Sequence, residues 1–351
     1  MRTVAAPITL ELVDPTGFPA WDERIATHPE ATVFHTAAWA RVLSGTYGYI
    51  PTYFAAIESD RLVGLLPVME VRSWLTGTRG VSLPFTDDCS PILSDGLVWP
   101  EAIRPVLERA EARGWRTLEI RGRRSGMTDL PASEVYLAHV LDLTPGAKTL
   151  DARYRPNVRR NIRRSEKAGA TVLHDRTPEG MKEFYRLNCL TRREHGLPPQ
   201  PLRFFEAVRE QLLDKGYGTL LLARFNGKAI AGAIFLHFGG KAIYKYGASD
   251  RRFQAVRANN LVFREGIRML CARGNRTLSF GRTDLHHDGL RDFKLSWGAE
   301  EKRLEYVCYD VRSGSWLSGR RARCVPVRRM VKFMPLQILR LVGNFAYRHA
   351  G

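Results

Sequence analysis

Two stretches of this 351-residue chain repeat each other in order, and nothing else in the sequence restricts the fold as much. Residues 114–121 (GWRTLEIR) resemble residues 274–282 (GNRTLSFGR), 160 positions later. Each follows an amphipathic helical pattern, 102–113 and 259–273, and reads as the strand that leaves it. Residues 56–66 (AIESDRLVGLL) likewise resemble 223–234 (ARFNGKAIAGAI); both read as hairpins, with Ser59-Asp60 or Asn226-Gly227 at the turn. Hairpin, helix and strand thus recur at an offset of 160 to 168 residues, which implies two α/β lobes in tandem.

In the first lobe the pattern predicts a helix at 36–44, strands at 52–58 and 61–71, a helix at 101–113, and strands at 115–121 and 135–142. In the second it predicts helices at 154–168, 178–195 and 201–215, then strands at 217–225, 228–238 and 240–247. A helix at 257–273 and strands at 276–281 and 303–311 close it. The turn-rich Leu143-Thr144-Pro145-Gly146 is the expected seam, giving a first lobe at 1–145, a second at 146–311 and a tail at 312–351.

Charge is clustered. The net charge is +18, with a pI near 10.1. Residues 151–167 carry seven basic and two acidic side chains, net +5, and residues 312–351 carry nine Arg or Lys and no acid, net +9. Such concentration implies a polyanionic partner: RNA, a nucleotide-linked or phosphorylated substrate, or an anionic membrane face. In the tail, Ile338, Leu341, Val342 and Phe345 recur at helical spacing, as do Val327, Met330, Val331 and Met334 beside Arg328, Arg329 and Lys332. A basic amphipathic helix of this kind either lies on a membrane surface or docks its stripe on the second lobe. The first residues hold no sustained apolar stretch, so no signal peptide is expected. The five cysteines, without a C-x-x-C pair, read as reduced thiols in a cytoplasmic protein.

No P-loop, G-x-G-x-x-G or G-x-S-x-G element occurs, so phosphate-loop, dinucleotide and α/β-hydrolase chemistries are not expected. Asp284, His286, His287 and Asp288 are the densest ligand-like cluster. All four lie in one short loop, which reads as a polar cleft mouth rather than a metal site. The segment 280–298 (FGRTDLHHDGLRDFKLSWG) is the richest in chemistry. A lysine flanked by Phe293 and Trp297, Lys294, either snorkels at the surface or holds a desolvated ammonium. The latter would stabilise an oxyanion or leaving phosphate, or act as a base.

Four motifs in order resemble the FemAB-like branch of the GNAT superfamily over about residues 28–310. They are His28-Pro29 with Phe34-His35-Thr36-x2-Trp39; Gly64-Leu65-Leu66-Pro67-Val68 followed by Ser82-Leu83-Pro84-Phe85; the basic run from Arg155 through Arg159 to Lys167-x-Gly169; and Gly281-Arg282 with Phe293-Lys294-x2-Trp297-Gly298. The resemblance implies two tandem GNAT-like lobes of mixed sheets flanked by helices. It also implies transfer of an acyl or aminoacyl group onto an amine of a cell-envelope precursor, in peptidoglycan or exopolysaccharide assembly, within a cleft between lobes. No tightly bound cofactor and no metal is implied; the co-substrate would be aminoacyl-tRNA or acyl-CoA, and the acceptor a lipid- or nucleotide-linked amine. Lys294 would stabilise the tetrahedral intermediate or the leaving ribose oxygen, and Asp284, His286 or His287 would take the amine's proton. Trp39, Arg155, Arg159, Tyr244, Tyr246, Arg282, Phe293 and Trp297 would bind substrate. Residues 251–258 (RRFQAVRA), where GNAT enzymes place a glycine-rich pyrophosphate turn, contain no glycine. An acyl-CoA-dependent transferase acting on a small amine, and a non-catalytic RNA- or membrane-binding relative, are the alternatives. Peripheral attachment to the inner face of the membrane is a further expectation from the tail.

Overall fold

The computed structural model describes residues 8–58, 61–94, 96–124, 126–319 and 328–351, with the side chains of 328–330 excepted. Ser59 and Asp60 of the expected turn, Val327, and the side chains of Arg328, Arg329 and Met330 lie outside the described residues. The chain forms two compact units, one of residues 1–135, 304–321 and 351, the other of residues 136–303 and 322–350.

The first unit runs β1 (Glu11–Val13), α1 (Trp21–Ala26), α2 (Ala37–Tyr47), β2 (Ile50–Pro51), β3 (Tyr53–Glu58), β4 (Arg61–Leu66), β5 (Met69–Val71), β6 (Arg79–Val81), β7 (Ile92–Leu93), α3 (Trp99–Ala112) and β8 (Thr117–Arg121). The chain crosses to the second unit within β9 (Glu134–Asp142). There follow α4 (Ala147–Arg153), α5 (Pro156–Lys167), β10 (Thr171–Asp175), α6 (Pro178–Glu194), α7 (Leu202–Val208), β11 (Gly218–Phe225), β12 (Lys228–Phe238), β13 (Lys241–Ser249), α8 (Ala258–Ala272), β14 (Thr277–Asp284) and α9 (Asp288–Leu295). It returns within β15 (Glu300–Asp310) to add β16 (Ser315–Trp316). The second unit then receives α10 (Arg328–Phe333) and α11 (Leu336–Ala350). The turn Leu143–Gly146 leads into α4 inside the second unit, and β9 upstream of it pairs antiparallel with β14 from the same unit, Leu141 opposite Leu278.

In the first unit the strands order β1-β3-β4-β7 and β15-β8-β6-β5-β2, with α3 laid on a core of Phe54, Trp99, Val106, Trp115 and Ile120. Thr36 caps α2 through its hydroxyl, which accepts from the Trp39 amide at 3.1 Å. Glu70 is buried and receives Arg113, Arg72 and the Trp115 indole, the last at 2.9 Å. Burial would raise its pKa, but these donors outweigh that and hold it at about 2.

In the second unit the order is β10-β11-β12-β13-β14-β9, antiparallel throughout except for the parallel β13–β14 pair. Both hairpin turns there have two residues with positive φ, Asn226-Gly227 and Gly239-Gly240, as a turn matched to strand twist requires. α5 buries Val158, Ile162 and Ser165 against α8 and turns its arginines outward.

The duplication reaches below the level of elements. The β3–β4 hairpin is bulged at Ala56/Ile57 and the β11–β12 hairpin at Ala223/Arg224, at matching places in the repeat. A parallel pair follows the hairpin in each unit: Gly80 opposite Leu118 in the first, Ala242 opposite Leu278 in the second. Gly80 also admits the Trp115 ring so closely that a Cβ there would lie 2.2 Å from it.

Candidate functional site

The parallel pairing of β13 with β14 stops after Ile243–Ser279, yet β13 continues to Ser249 and β14 to Asp284. β14 instead turns through a bulge between Ser279 and Arg282 opposite β9, with Gly281 at φ 70°. Lys294 reaches that bulge from α9. Its Nζ donates to the carbonyls of Gly281 at 2.8 Å and Arg282 at 3.1 Å, and the residue is 4% exposed.

Beyond the end of β13 the chain makes a short helical turn, residues 251–256, before α8. Asp250 builds it: its buried carboxylate accepts the Arg252 amide at 3.1 Å and the Arg252 guanidinium at 2.7 Å. Those hydrogen bonds hold the Asp250 pKa below the ordinary value. Arg257 then takes a left-handed conformation, φ 62° and ψ 27°, immediately before α8 starts. The glycine-free turn is therefore formed by an arginine in a conformation that favours glycine.

A cavity of about 710 Å³ opens over this turn and the N-terminus of α8. Arg155, Arg251 and Arg257 bring positive charge to it, and the α8 dipole adds to theirs. Phe293 and Asp292 from α9, Glu194 and His195 at the end of α6, and Asp250 also line it. Arg155 is positioned by its amide, which donates to the Ser296 carbonyl at 3.0 Å and so ties the start of α5 to the end of α9. Burial first, then the Arg192 charge, lowers the His195 pKa, so its imidazole is neutral at pH 7.

The structure brings Arg155 and Phe293 together on this cavity and places Lys294 one residue behind the latter. Other expected site residues lie elsewhere. Trp39 is 0% exposed, edge-on to Phe34 in the first unit's core, so it is a packing residue and not a ligand contact. Trp297 is also 0% exposed, stacked on Phe263 at 5.4 Å and edge-on to Tyr154 at 4.8 Å, and it too is core. Arg159 lies on the outer face of α5, in a groove it shares with Arg160, Arg163, Arg164 and Lys167. Arg282 lays its guanidinium over the Tyr136 ring at 4.3 Å.

Tyr244 and Tyr246, both expected to bind substrate, point to opposite faces of their strand. A bulge inserts Lys245 where Ile234 and Phe235 oppose Tyr246 and Tyr244. Tyr244 packs on Phe263 of α8 at 4.3 Å, and Tyr246 on Phe204 and Phe205 of α7 at 5.8 and 5.4 Å. Asp284 is exposed at the end of β14 and outside the cavity wall. His287 caps α9, its Nδ1 accepting from the Leu290 amide at 3.2 Å, and His286 is exposed beside it.

Sequence reasoning missed a chain of hydrogen bonds that runs from the exposed Arg291 to the buried His139, beside Lys294. Arg291 clamps Glu301 through two hydrogen bonds of 2.6 and 2.9 Å, and Glu301 accepts from His139 Nε2 at 3.1 Å. His139 Nδ1 then faces the Thr283 hydroxyl at 3.5 Å. With Nε2 donating to a carboxylate, Nδ1 is the acceptor. Burial, and then the Lys294 charge, lower the His139 pKa and keep it neutral. A lone histidine in the strand 134–142 was the one available signal, since its partner lies 162 residues away.

Residues 152–295 match the family described as acetyltransferase (GNAT) domain. No curated protein matches the sequence significantly. Among solved structures, FemX aligns with a TM-score of 0.63 at 16% identity, over 81% of this chain and 94% of that one. A tandem GNAT protein from the clavulanic acid biosynthesis pathway aligns with a TM-score of 0.53 at 13% identity, over 86% and 98%. L-PGS from Bacillus licheniformis gives 0.52 at 14% identity, over 87% and 96%. Residues 152–295 thus match the GNAT acetyltransferase family, and the chain as a whole shares its fold with FemX and with a tandem GNAT protein.

Proposed function

We propose that this acyltransferase carries an acyl or aminoacyl group from a phosphate-bearing donor to an amine of a cell-envelope precursor. The observation that carries the reading is the cavity over the left-handed Arg257 and the α8 N-terminus, ringed by Arg155 and Arg251. The Asp250 carboxylate is already held by Arg252 and those of Glu194 and Asp292 stand at the wall; the helix dipole and three guanidinium groups favour an anion there. Both donor classes supply one: the pyrophosphate of acyl-CoA, or the terminal phosphodiesters of aminoacyl-tRNA. The likeness to FemX and L-PGS supports an aminoacyl donor, and the cationic face of α5 supports RNA.

In the reaction the neutral amine attacks the acyl carbonyl. A C–N bond forms, the C–O or C–S bond to the donor breaks, and the leaving oxygen or sulfur takes a proton. Lys294 supplies a desolvated positive charge at the β14 bulge, where negative charge on the tetrahedral intermediate is stabilised. Asp284 at the end of β14 or the neutral His195 on the cavity wall accepts the amine proton. Phe293 and Arg155 hold the donor.

The test compares purified protein with charged tRNA, uncharged tRNA and a panel of acyl-CoAs. Selective binding of charged tRNA, abolished with Arg257→Glu, supports the aminoacyl reading. Binding of acyl-CoA alone assigns the chain as a CoA-dependent N-acyltransferase acting on small amines. Binding of neither donor overturns both.

A further inference from the structure

We propose that α11 is a membrane-docking helix that lays a fixed apolar face on an anionic lipid surface, a property separate from acyl transfer. The helix has two faces with different roles. One is fastened to the second unit. Leu339 is fully buried, and Gly343 sits so close to the Pro199 carbonyl that a Cβ would lie 2.0 Å from its oxygen. The Tyr347 hydroxyl accepts from Arg192 at 2.5 Å and donates to the Pro198 carbonyl at 3.2 Å, and the Arg340 guanidinium covers the Tyr185 ring at 5.2 Å. These contacts fix the rotation of α11 about its axis.

That rotation turns the other face outward. Ile338, Leu341, Val342 and Phe345 follow i, i+3, i+4, i+7 spacing and at about 100° per residue fall within an arc of roughly 100°. Leu341 is 68% and Phe345 55% exposed, and Phe333 at the end of α10 is 88% exposed. A contiguous set of large apolar side chains held in water marks a surface that is covered in use. Packing of α11 against α6 leaves this stripe open.

Charge decides what covers it. Residues 312–351 hold nine Arg or Lys and no acid. Five of these cations and no acid lie in residues 328–351, which carry the stripe, so a second copy would bring +5 against +5, whereas an anionic bilayer complements it. Each cation near such a surface adds about fivefold to binding, and buried Leu and Phe side chains add to that. Among the described residues no helix is long and apolar enough to cross a membrane, so α11 would lie in the interface plane.

The experiment is flotation of the full chain with phosphatidylglycerol-rich vesicles and with pure phosphatidylcholine vesicles. The chain is expected to float with the former. The double variant Ile338→Glu/Leu341→Glu, which alters exposed positions and leaves the docked face alone, is expected to bind about tenfold or more weakly with an unchanged melting temperature. Wild-type protein that stays unbound on phosphatidylglycerol-rich vesicles overturns the proposal, as does a double variant that floats equally well. Light scattering that finds a dimer converted to a monomer by the same variant also overturns it and assigns the face to a second copy. Flotation abolished by Arg160→Glu/Arg163→Glu but untouched by the tail variant overturns it as well, and moves the lipid contact to α5.

Discussion

Lys294 donates its ammonium to the carbonyl of Gly281, thirteen residues upstream, at 2.8 Å, and so closes the bulge that turns β14 away from β13. The carbonyls of Gly281, buried, and Arg282, half-buried, both accept from this one side chain. Lys294→Ala is expected to lower turnover on the order of 10²- to 10³-fold, the effect of removing one preorganised stabilising charge. It is also expected to cost about 1–3 kcal/mol of stability through the orphaned carbonyls. Turnover and thermal melting on the same preparation check this, and unchanged turnover removes Lys294 from the reaction.

Arg257 separates local strain from ligand binding. Its left-handed backbone disfavours any side chain, so Arg257→Gly relieves strain while adding chain entropy to the unfolded state. Stability is expected to stay the same or rise by about 1 kcal/mol. Donor affinity is expected to fall several-fold, because a guanidinium leaves the cavity. A variant that melts higher and binds donor as tightly as wild type would show that Arg257 serves the turn alone.

How much of this was legible in the sequence depends on the range over which each feature is encoded. The repeat of GWRTLEIR by GNRTLSFGR marked the two lobes, and the matched bulges at Ala56/Ile57 and Ala223/Arg224 carry the same repeat into the backbone. The glycine-free turn was visible at 251–258, but the left-handed Arg257 that replaces its glycine was not, because propensity disfavours that conformation. Tyr244 and Tyr246 stand two apart in sequence, a spacing that simple alternation puts on one face, but one extra residue, Lys245, reverses the faces beyond it, and no local pattern marks that bulge. Trp39 looked like a binding residue in its motif, and the core claimed it. His139 and Glu301 meet only through the sheet, so no local pattern could pair them.

Stability is expected to fall with pH in two steps of different origin. His237 Nε2 accepts from Arg273 at 2.8 Å, which requires a neutral imidazole, and burial followed by Arg273 lowers its pKa to about 4. Between the ordinary histidine value near 6.5 and about 4 the unfolded chain therefore binds more protons than the folded one. Stability declines as pH falls through that window, and His139, shifted the same way, adds to the decline. Glu70 acts lower. Its folded pKa of about 2 lies below the unfolded 4.5, so its contribution is present above 4.5 and is lost towards 2. His237→Gln is expected to flatten the upper step, and Glu70→Gln to remove the lower one at a cost of roughly 2–3 kcal/mol at pH 7. Denaturant midpoints across the pH range check both; an upper step unchanged in His237→Gln assigns it elsewhere.

Arg160 and Arg163 stand on the outer face of α5 with Arg159, Arg164 and Lys167, on the same unit as the α8 cavity but not in its wall. A donor small enough to sit in the cavity would not feel them, whereas a long polyanion entering it would lie across several. Arg160→Glu/Arg163→Glu is therefore expected to leave acyl-CoA binding unchanged. With charged tRNA it is expected to reduce the slope of log affinity against log salt by roughly 1.4–1.8, two phosphate contacts at about 0.7–0.9 each. The α5 core residues Val158 and Ile162 are untouched, so the helix keeps its seat on α8. Titrations at several salt concentrations read the slope directly. A tRNA slope that does not change in this variant takes α5 out of the RNA contact, and acyl-CoA affinity that falls in parallel means the two surfaces share one field rather than two ligand segments.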